Sequence, residues 1–148
     1  MRIVRVTAQN LWRIDQLERT PQAAPWVAEA EDFLLGGRAV GHLRRPGTTV
    51  LAADHAAFVG LAISYPDPNY QQTIRLGSLC VDHRVRRRGV GRVLFDALVV
   101  DAVRSEPYAI WLVHPDNTAM VGLSRSHRLV ADEAVAADGY VQFFAERD

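Results

Sequence analysis

The first part of the chain alternates between strand-like and helix-like spacing of apolar residues. Residues 2–7 alternate polar and apolar side chains, which predicts a half-buried strand. Apolar residues recur at helical spacing in residues 9–19, and a second helix is predicted over about 25–35, ended by Gly36-Gly37. Residues 38–47 follow neither pattern, so we predict a loop there.

The middle of the chain has the pattern of consecutive strands. Residues 48–54 and 56–65 predict two strands joined by a tight turn at Asp54-His55. The second of them is apolar on both faces, which is typical of a central strand. Two prolines make residues 66–72 a loop, and residues 73–82 predict the next strand.

The last third combines two helices with three further strands. Residues 91–104 predict a helix that is apolar around much of its circumference and therefore buried, and residues 109–114 predict a short strand. A helix follows over 118–127. Asp138-Gly139 then separates two apolar runs, which predicts a hairpin with strands at about 129–135 and 140–145.

The resulting order, β α α β β β α β α β β, indicates an α/β domain. Its strand–helix–strand unit over residues 73–114 predicts a right-handed parallel crossover.

Composition narrows the class of protein. The chain has 148 residues, which predicts one domain over residues 1–148. The formal net charge is zero, so its arginine cluster is local, and this counts against non-specific nucleic-acid binding. All 17 basic residues are arginine, which excludes a catalytic lysine.

The location of the protein can be predicted from what the sequence lacks. A single cysteine, Cys80, rules out an internal disulfide framework. The N-terminus has no apolar signal core, and no apolar run approaches the roughly 20 residues that span a bilayer. We therefore expect a soluble cytoplasmic protein without a membrane partner.

The candidate chemistry lies in residues 86–92, RRRGVGR, between the strand at 73–82 and the helix at 91–104. A helix N-terminus carries free N–H groups and a partial positive charge, so it binds anions. Gly89 and Gly91 let the backbone approach a ligand closely, and arginines can fork onto phosphate oxygens. The stretch therefore predicts a diphosphate site.

Other interpretations of this stretch can be ranked. A P-loop is excluded because its spacing and its lysine are both absent. A dinucleotide fingerprint would need a third glycine where Leu94 stands. A solvated basic turn before a helix remains an open alternative.

The sequence resembles the GNAT superfamily of N-acetyltransferases. Arg86, Gly89 and Gly91 match its acetyl-coenzyme A signature, which is a Gln or Arg, two residues, a Gly, one residue, and a Gly or Ala. The preceding strand and the order of the elements are also similar to that fold. The resemblance implies a mostly antiparallel sheet with one parallel strand pair splayed for the cofactor, and helices on both faces.

The resemblance also implies a function. An amine would attack acetyl-CoA directly, without an acyl-enzyme, so that Cys80 is expected to be a core residue. The acceptor amine is left open, and a homodimer is one assembly that we consider. The residues that the resemblance assigns to acetyl-CoA are Leu79, Val81, Arg86, Arg87, Arg88, Gly89, Val90, Gly91, Arg92 and Asn117.

The catalytic residues are where the sequence departs from the family pattern. Ser124 stands where many relatives have a tyrosine that donates a proton to the departing sulfur, and Met120 stands at a position for a small residue. We consider Ser124 as the acid and His114 as the base. The five histidines lack metal-ligand spacing, so no metal is expected. An acyl-CoA-binding module with weak or no catalysis is the alternative function.

Overall fold

The computed structural model describes residues 1–36 and 41–148. The strands in chain order are β1 (Arg2–Arg5), β2 (Thr49–His55), β3 (Ala57–Pro66), β4 (Thr73–Val81), β5 (Tyr108–Val113), β6 (Val130–Val135) and β7 (Val141–Glu146). The α-helices are α1 (Pro25–Leu35), α2 (Val90–Ser105) and α3 (Thr118–Ser126), and short 3-10 helices cover Leu11–Gln16 and His83–Val85.

The strands form one seven-stranded sheet in the order β1-β2-β3-β4-β5-β7-β6. Every neighbouring pair is antiparallel except β4 and β5, which are parallel and are connected by α2. This confirms the predicted fold class, including the single parallel pair. The predicted hairpin at the end of the chain is also confirmed, with β6 and β7 turning at Gly139, which has a φ of 89°.

Two local features were predicted wrongly: the type of one helix and the position of one turn. The expected helix over 9–19 is a 3-10 helix over Leu11–Gln16. Its apolar residues Leu11, Ile14 and Leu17 repeat every three positions, which matches the three residues per turn of a 3-10 helix. The turn between β2 and β3 is centred on Ala56, with a φ of 62°, rather than on Asp54-His55.

The remaining predicted elements agree closely with the structure. α1 begins at Pro25, and Gly36 follows it as the C-cap. The predicted loop over 38–47 lies partly outside the described residues; residues 41–42 are helical rather than loop, and residues 43–47 form turns and a bend, with Arg45 N donating to His42 O. Within the described ranges, no helix is long and apolar enough to span a bilayer.

The sheet separates two hydrophobic clusters because neighbouring residues of a strand point to opposite faces. On one face, Leu94, Phe95 and Leu98 of α2 pack with Trp111 of β5. On the other face, Leu34 of α1 packs with the 3-10 helix and with apolar residues of β2 and β3. Helices therefore cover the sheet from both sides.

Strand β4 contains a bulge in its second half. A single residue of β3, Ile63, lies opposite two residues of β4, Gly77 and Ser78. A Cβ atom at Gly77 would lie 3.0 Å from Ile63 Cγ2 and 3.1 Å from Tyr65 Cε1, so a larger residue would crowd this site. Bulges locally bend a strand and redirect its side chains. Here the bend lies directly beside the cleft described below.

Candidate active site

A cleft of about 630 Å³ opens where β4 and β5 part. The two strands are paired only from Thr73–Tyr108 to Arg75–Ile110. Beyond these three pairs, the second half of β4 and the end of β5 line opposite walls of the cleft. The predicted splaying of the parallel pair is therefore present.

The walls of this cleft come from helices on both faces of the sheet. Trp26 and Ala30 of α1 contribute from one face, and Phe95 of α2 and Met120 of α3 contribute from the other. Two reactants can thus approach the gap between β4 and β5 from opposite sides.

The main chain of β4 presents polar groups to the cleft. Asp82 N donates to Val59 O over 2.8 Å, so this position is hydrogen-bonded to β3. Bonded and non-bonded positions alternate along an antiparallel pair. Leu79 and Val81 are therefore in non-bonded positions, and their N–H and C=O groups point to the opposite edge, which β5 leaves free. A ligand with amide groups can pair with this edge as a strand does.

The loop before α2 has the backbone conformation of an anion site. Gly89 is left-handed (φ 80°) and is followed by helical Val90, a sequence of conformations that turns successive N–H groups toward one point. The first intrahelical bond runs from Val93 N to Gly89 O, and no side chain caps the N–H groups before it. Arg87 is also left-handed, with a φ of 64°.

The described charged residues of the cleft wall are three arginines and one carboxylate. Arg86, Arg87 and Arg92 line the wall near the start of α2. Glu29 of α1 supplies the one carboxylate among the described lining residues. Arg88 is exposed and lies outside this wall. The lining therefore combines several positive charges beside the start of α2 with one negative charge on α1.

The other predicted cofactor residues are also brought to the cleft. Gly89, Val90 and Gly91 line it beside the arginines, and Leu79 and Val81 line it from β4. Asn117 lines it as well, but its side chain also accepts from Met120 N (3.3 Å) as the N-cap of α3. Their roles in binding stay predictions.

His114 follows the end of β5 and lies within an aromatic cluster on the cleft wall. Its ring stacks on Trp26 (centroids 4.5 Å apart, planes at 17°) and meets Tyr140 edge-on at 5.2 Å. Asp116 N donates to His114 Nδ1 over 3.1 Å. An N–H group can donate only to a nitrogen with a lone pair, so the neutral ring carries its proton on Nε2. His114 therefore offers the cleft a donor.

Ser124 is not brought to the cleft. Its side chain is 0% exposed, and its Oγ accepts a hydrogen bond from Trp111 Nε1 over 2.9 Å. The predicted acid role stays a prediction, and this burial weighs against it.

Cys80 lies in the buried part of the wall. Burial, with the nearby Glu31 carboxylate as a smaller cause, raises the pKa of its thiol to about 12. The reactive form of a cysteine is the thiolate. Cys80 thus has the character of a core residue.

Sequence reasoning missed Trp26 and Tyr140 as parts of this site. Trp26 follows Pro25, and Tyr140 follows Gly139. An aromatic residue directly after a residue that interrupts regular structure was the sequence feature that could have indicated them. Asp67, in the loop after β3, does not line the cleft and is buried in an ion pair with Arg75 Nε (2.8 Å). Among residues 1–36 and 41–148, no group of three potential ligands is placed to hold a metal.

The sequence matches the model of the acetyltransferase (GNAT) family over residues 6–127. It shows no significant similarity to any curated protein.

Solved structures share the fold at low sequence identity. The ribosomal-protein-S18-alanine N-acetyltransferase of Escherichia coli is 17% identical with a TM-score of 0.65, over 97% of this chain and 90% of that one. A GNAT-family protein of Desulfovibrio desulfuricans is 16% identical with a TM-score of 0.64, over 99% and 98% of the two chains. YncA of Salmonella typhimurium, whose structure contains its cofactor acetyl-CoA, is 15% identical with a TM-score of 0.64, over 100% and 94%.

Proposed function

The chain belongs to the GNAT family of acetyltransferases, and from that premise we propose that it transfers an acetyl group from acetyl-CoA to a primary amine by direct attack. The observation that carries the proposal is the cleft between β4 and β5, which is walled from both faces of the sheet. Such a cleft lets donor and acceptor meet without an intermediate on the protein. Holding two reactants in contact is itself a large part of catalysis.

The residues present fit acetyl-CoA. The uncapped N–H groups at the start of α2 and the side chains of Arg86, Arg87 and Arg92 suit a pyrophosphate. The free main-chain groups of Leu79 and Val81 suit the amides of the pantetheine arm. When bound, acetyl-CoA supplies a thioester carbonyl that is open to nucleophilic attack.

Cys80 supports direct transfer over a covalent route. A thiol with a pKa of about 12 is almost entirely protonated at neutral pH, so it is a poor nucleophile. Cys80 also lies in the interior, where its role is packing.

We propose that His114 acts as a hydrogen-bond donor rather than as the predicted base. Its Nδ1 accepts from Asp116 N, so Nε2 of the neutral ring carries a hydrogen and has no lone pair for a proton from the amine. An N–H group on the cleft wall can stabilise negative charge that develops on oxygen or sulfur. Stacking on Trp26 fixes the plane of the ring.

We propose that Glu29 faces the amine. It is the one carboxylate among the described residues that line the cleft, and it lies on α1, one turn from Trp26. A carboxylate attracts an ammonium ion, and Trp26 beside it offers an apolar face to the rest of the acceptor. Cationic amines are therefore the acceptor class to test first.

The test is release of free CoA in the presence of a panel of amines, including ribosomal-type N-terminal peptides, polyamines and arylalkylamines. Turnover above the rate of acetyl-CoA hydrolysis with any of them supports the transferase. Glu29→Gln should then raise the KM for a cationic acceptor and leave the KM for acetyl-CoA unchanged. Tight CoA binding without turnover on the whole panel would instead favour the binding module.

A further inference from the structure

Hydrogen bonds connect the loop that precedes α2 to the segment that precedes α1. Every second residue of each segment takes part in them. Glu18 N donates to Asp82 Oδ2 over 2.9 Å, and Arg84 Nη2 donates to Gln16 O over 3.2 Å. We call this set of contacts the clasp. Its members are Gln16, Glu18 and Thr20 on one side and Asp82, Arg84 and Arg86 on the other.

The outermost contact of the clasp involves an arginine of the cleft wall. Arg86 Nη2 donates to Thr20 Oγ1 over 2.6 Å. The same hydroxyl donates to Glu31 Oε2 over 3.0 Å, so it both accepts and donates. Thr20 is thus placed between Arg86 and Glu31.

Glu31 anchors this arrangement from α1. Its side chain is buried, at 3% exposure, and its two oxygens accept from Thr20 N at 3.1 and 3.0 Å. A buried carboxylate needs such donors because its desolvation is costly. Thr20 therefore has little freedom to move away from Glu31.

We propose that Thr20, held by Glu31, is a positioning residue that presets the Arg86 guanidinium for the pyrophosphate of acetyl-CoA. This rests on the proposed function. Arginine has five N–H donors, so the bond to Thr20 leaves others free for phosphate oxygens. An exposed arginine that is already oriented loses less side-chain entropy when its ligand binds.

Through the contact of Thr20 with Glu31, the clasp is also connected to α1. Glu31 lies on the same helix as Trp26 and Glu29, which line the side that we assign to the acceptor. The contacts of Thr20 therefore fix the position of the arginine end of the cleft relative to α1.

The experiment is a double-mutant cycle on CoA affinity, measured by isothermal titration. Thr20→Val keeps the shape of the side chain and removes the hydroxyl, Thr20→Ser keeps the hydroxyl, and Arg86→Gln removes the guanidinium. Thr20→Ala is a second variant without the hydroxyl. Thermal melting of each variant separates loss of affinity from loss of folded protein.

We expect Thr20→Val and Thr20→Ala to weaken CoA binding about three- to tenfold, the range of one ordinary hydrogen bond at an exposed position. Thr20→Ser should bind CoA with the affinity of the wild type. In the Arg86→Gln background, Thr20→Val should not weaken CoA binding further. Unchanged affinity in both hydroxyl-free variants, or an equal loss in the Arg86→Gln background, would overturn the inference. A wild-type protein that does not bind CoA would refute the proposed function itself.

Discussion

Trp111 Nε1 donates a hydrogen bond to Ser124 Oγ over 2.9 Å, and both residues are buried. This contact joins β5 to α3 beneath the cleft. It gives Ser124 a structural partner at the position where the sequence suggested a proton donor.

Replacing Ser124 should therefore affect stability more than turnover. Ser124→Ala leaves the Trp111 N–H group buried without a partner, which costs about 1–3 kcal/mol in the free energy of unfolding. Urea unfolding measures this cost, and the rate of CoA release should be unchanged at a temperature where the variant is folded. Ser126→Ala, an exposed position on the same helix, is the control. A large loss of kcat in a folded Ser124→Ala protein would restore the acid role.

We predict that kinetics of His114 variants will show a hydrogen-bond donor and not a base. We expect His114→Ala to lower kcat about a hundredfold to a thousandfold, because a donor toward developing charge is lost. His114→Gln keeps an N–H group at a similar reach and should retain most of the activity. The acidic limb of the pH–rate profile should persist in His114→Gln. Equal losses in both variants, with the acidic limb removed, would show that His114 is the base.

Cys80 should be unreactive in the folded protein at neutral pH. Its pKa is raised from an ordinary value of 9.0 to about 12, mainly by burial, so folding favours the neutral thiol. The resulting contribution to stability is complete below pH 9 and is lost as the pH rises from about 9 toward 12. A thiol reagent at pH 8 should modify Cys80 only after denaturation, and Cys80→Ala should still transfer acetyl groups. An acetylated Cys80 in a mass spectrum of the working enzyme would contradict direct transfer.

Asp82 should make the protein sensitive to acid. Hydrogen bonds from Arg84, with smaller ones from Glu18 N and Arg84 N, hold the pKa of this buried carboxyl well below its usual range. A carboxyl with a lowered pKa stabilises the fold above its unfolded pKa of about 3.9, and that stability is lost as the pH falls below this value. Asp82→Asn should thus be less stable at pH 7 and lose less stability than the wild type on acidification. The prediction would be contradicted if the free energies of unfolding of the two proteins fell by the same amount between pH 7 and pH 3.

The sequence was sufficient for most of the strands and helices and for the position of the glycine-containing loop before α2, because these depend on local patterns. The spacing of Gly89 and Gly91 at a helix start, and the Asp138-Gly139 turn, are examples. The bulge at Gly77-Ser78 could not be predicted, since it depends on register with β3. The contacts of Ser124 with Trp111 and of Thr20 with Arg86 likewise join residues of different elements, so only the fold reveals them.

The central claim is that the cleft between β4 and β5 is an acetyl-CoA site, and isothermal titration with acetyl-CoA tests it most directly. A Cβ atom at Gly91 would lie 3.5 Å from Val81 Cγ2, which is ordinary contact, so Gly91→Ala should fold and still bind. Gly91→Trp would fill the cleft beside the loop that precedes α2. We predict one acetyl-CoA bound per chain in the wild type and in Gly91→Ala, and none in a folded Gly91→Trp. Absence of binding to the wild type, or equal binding to Gly91→Trp, would contradict the account.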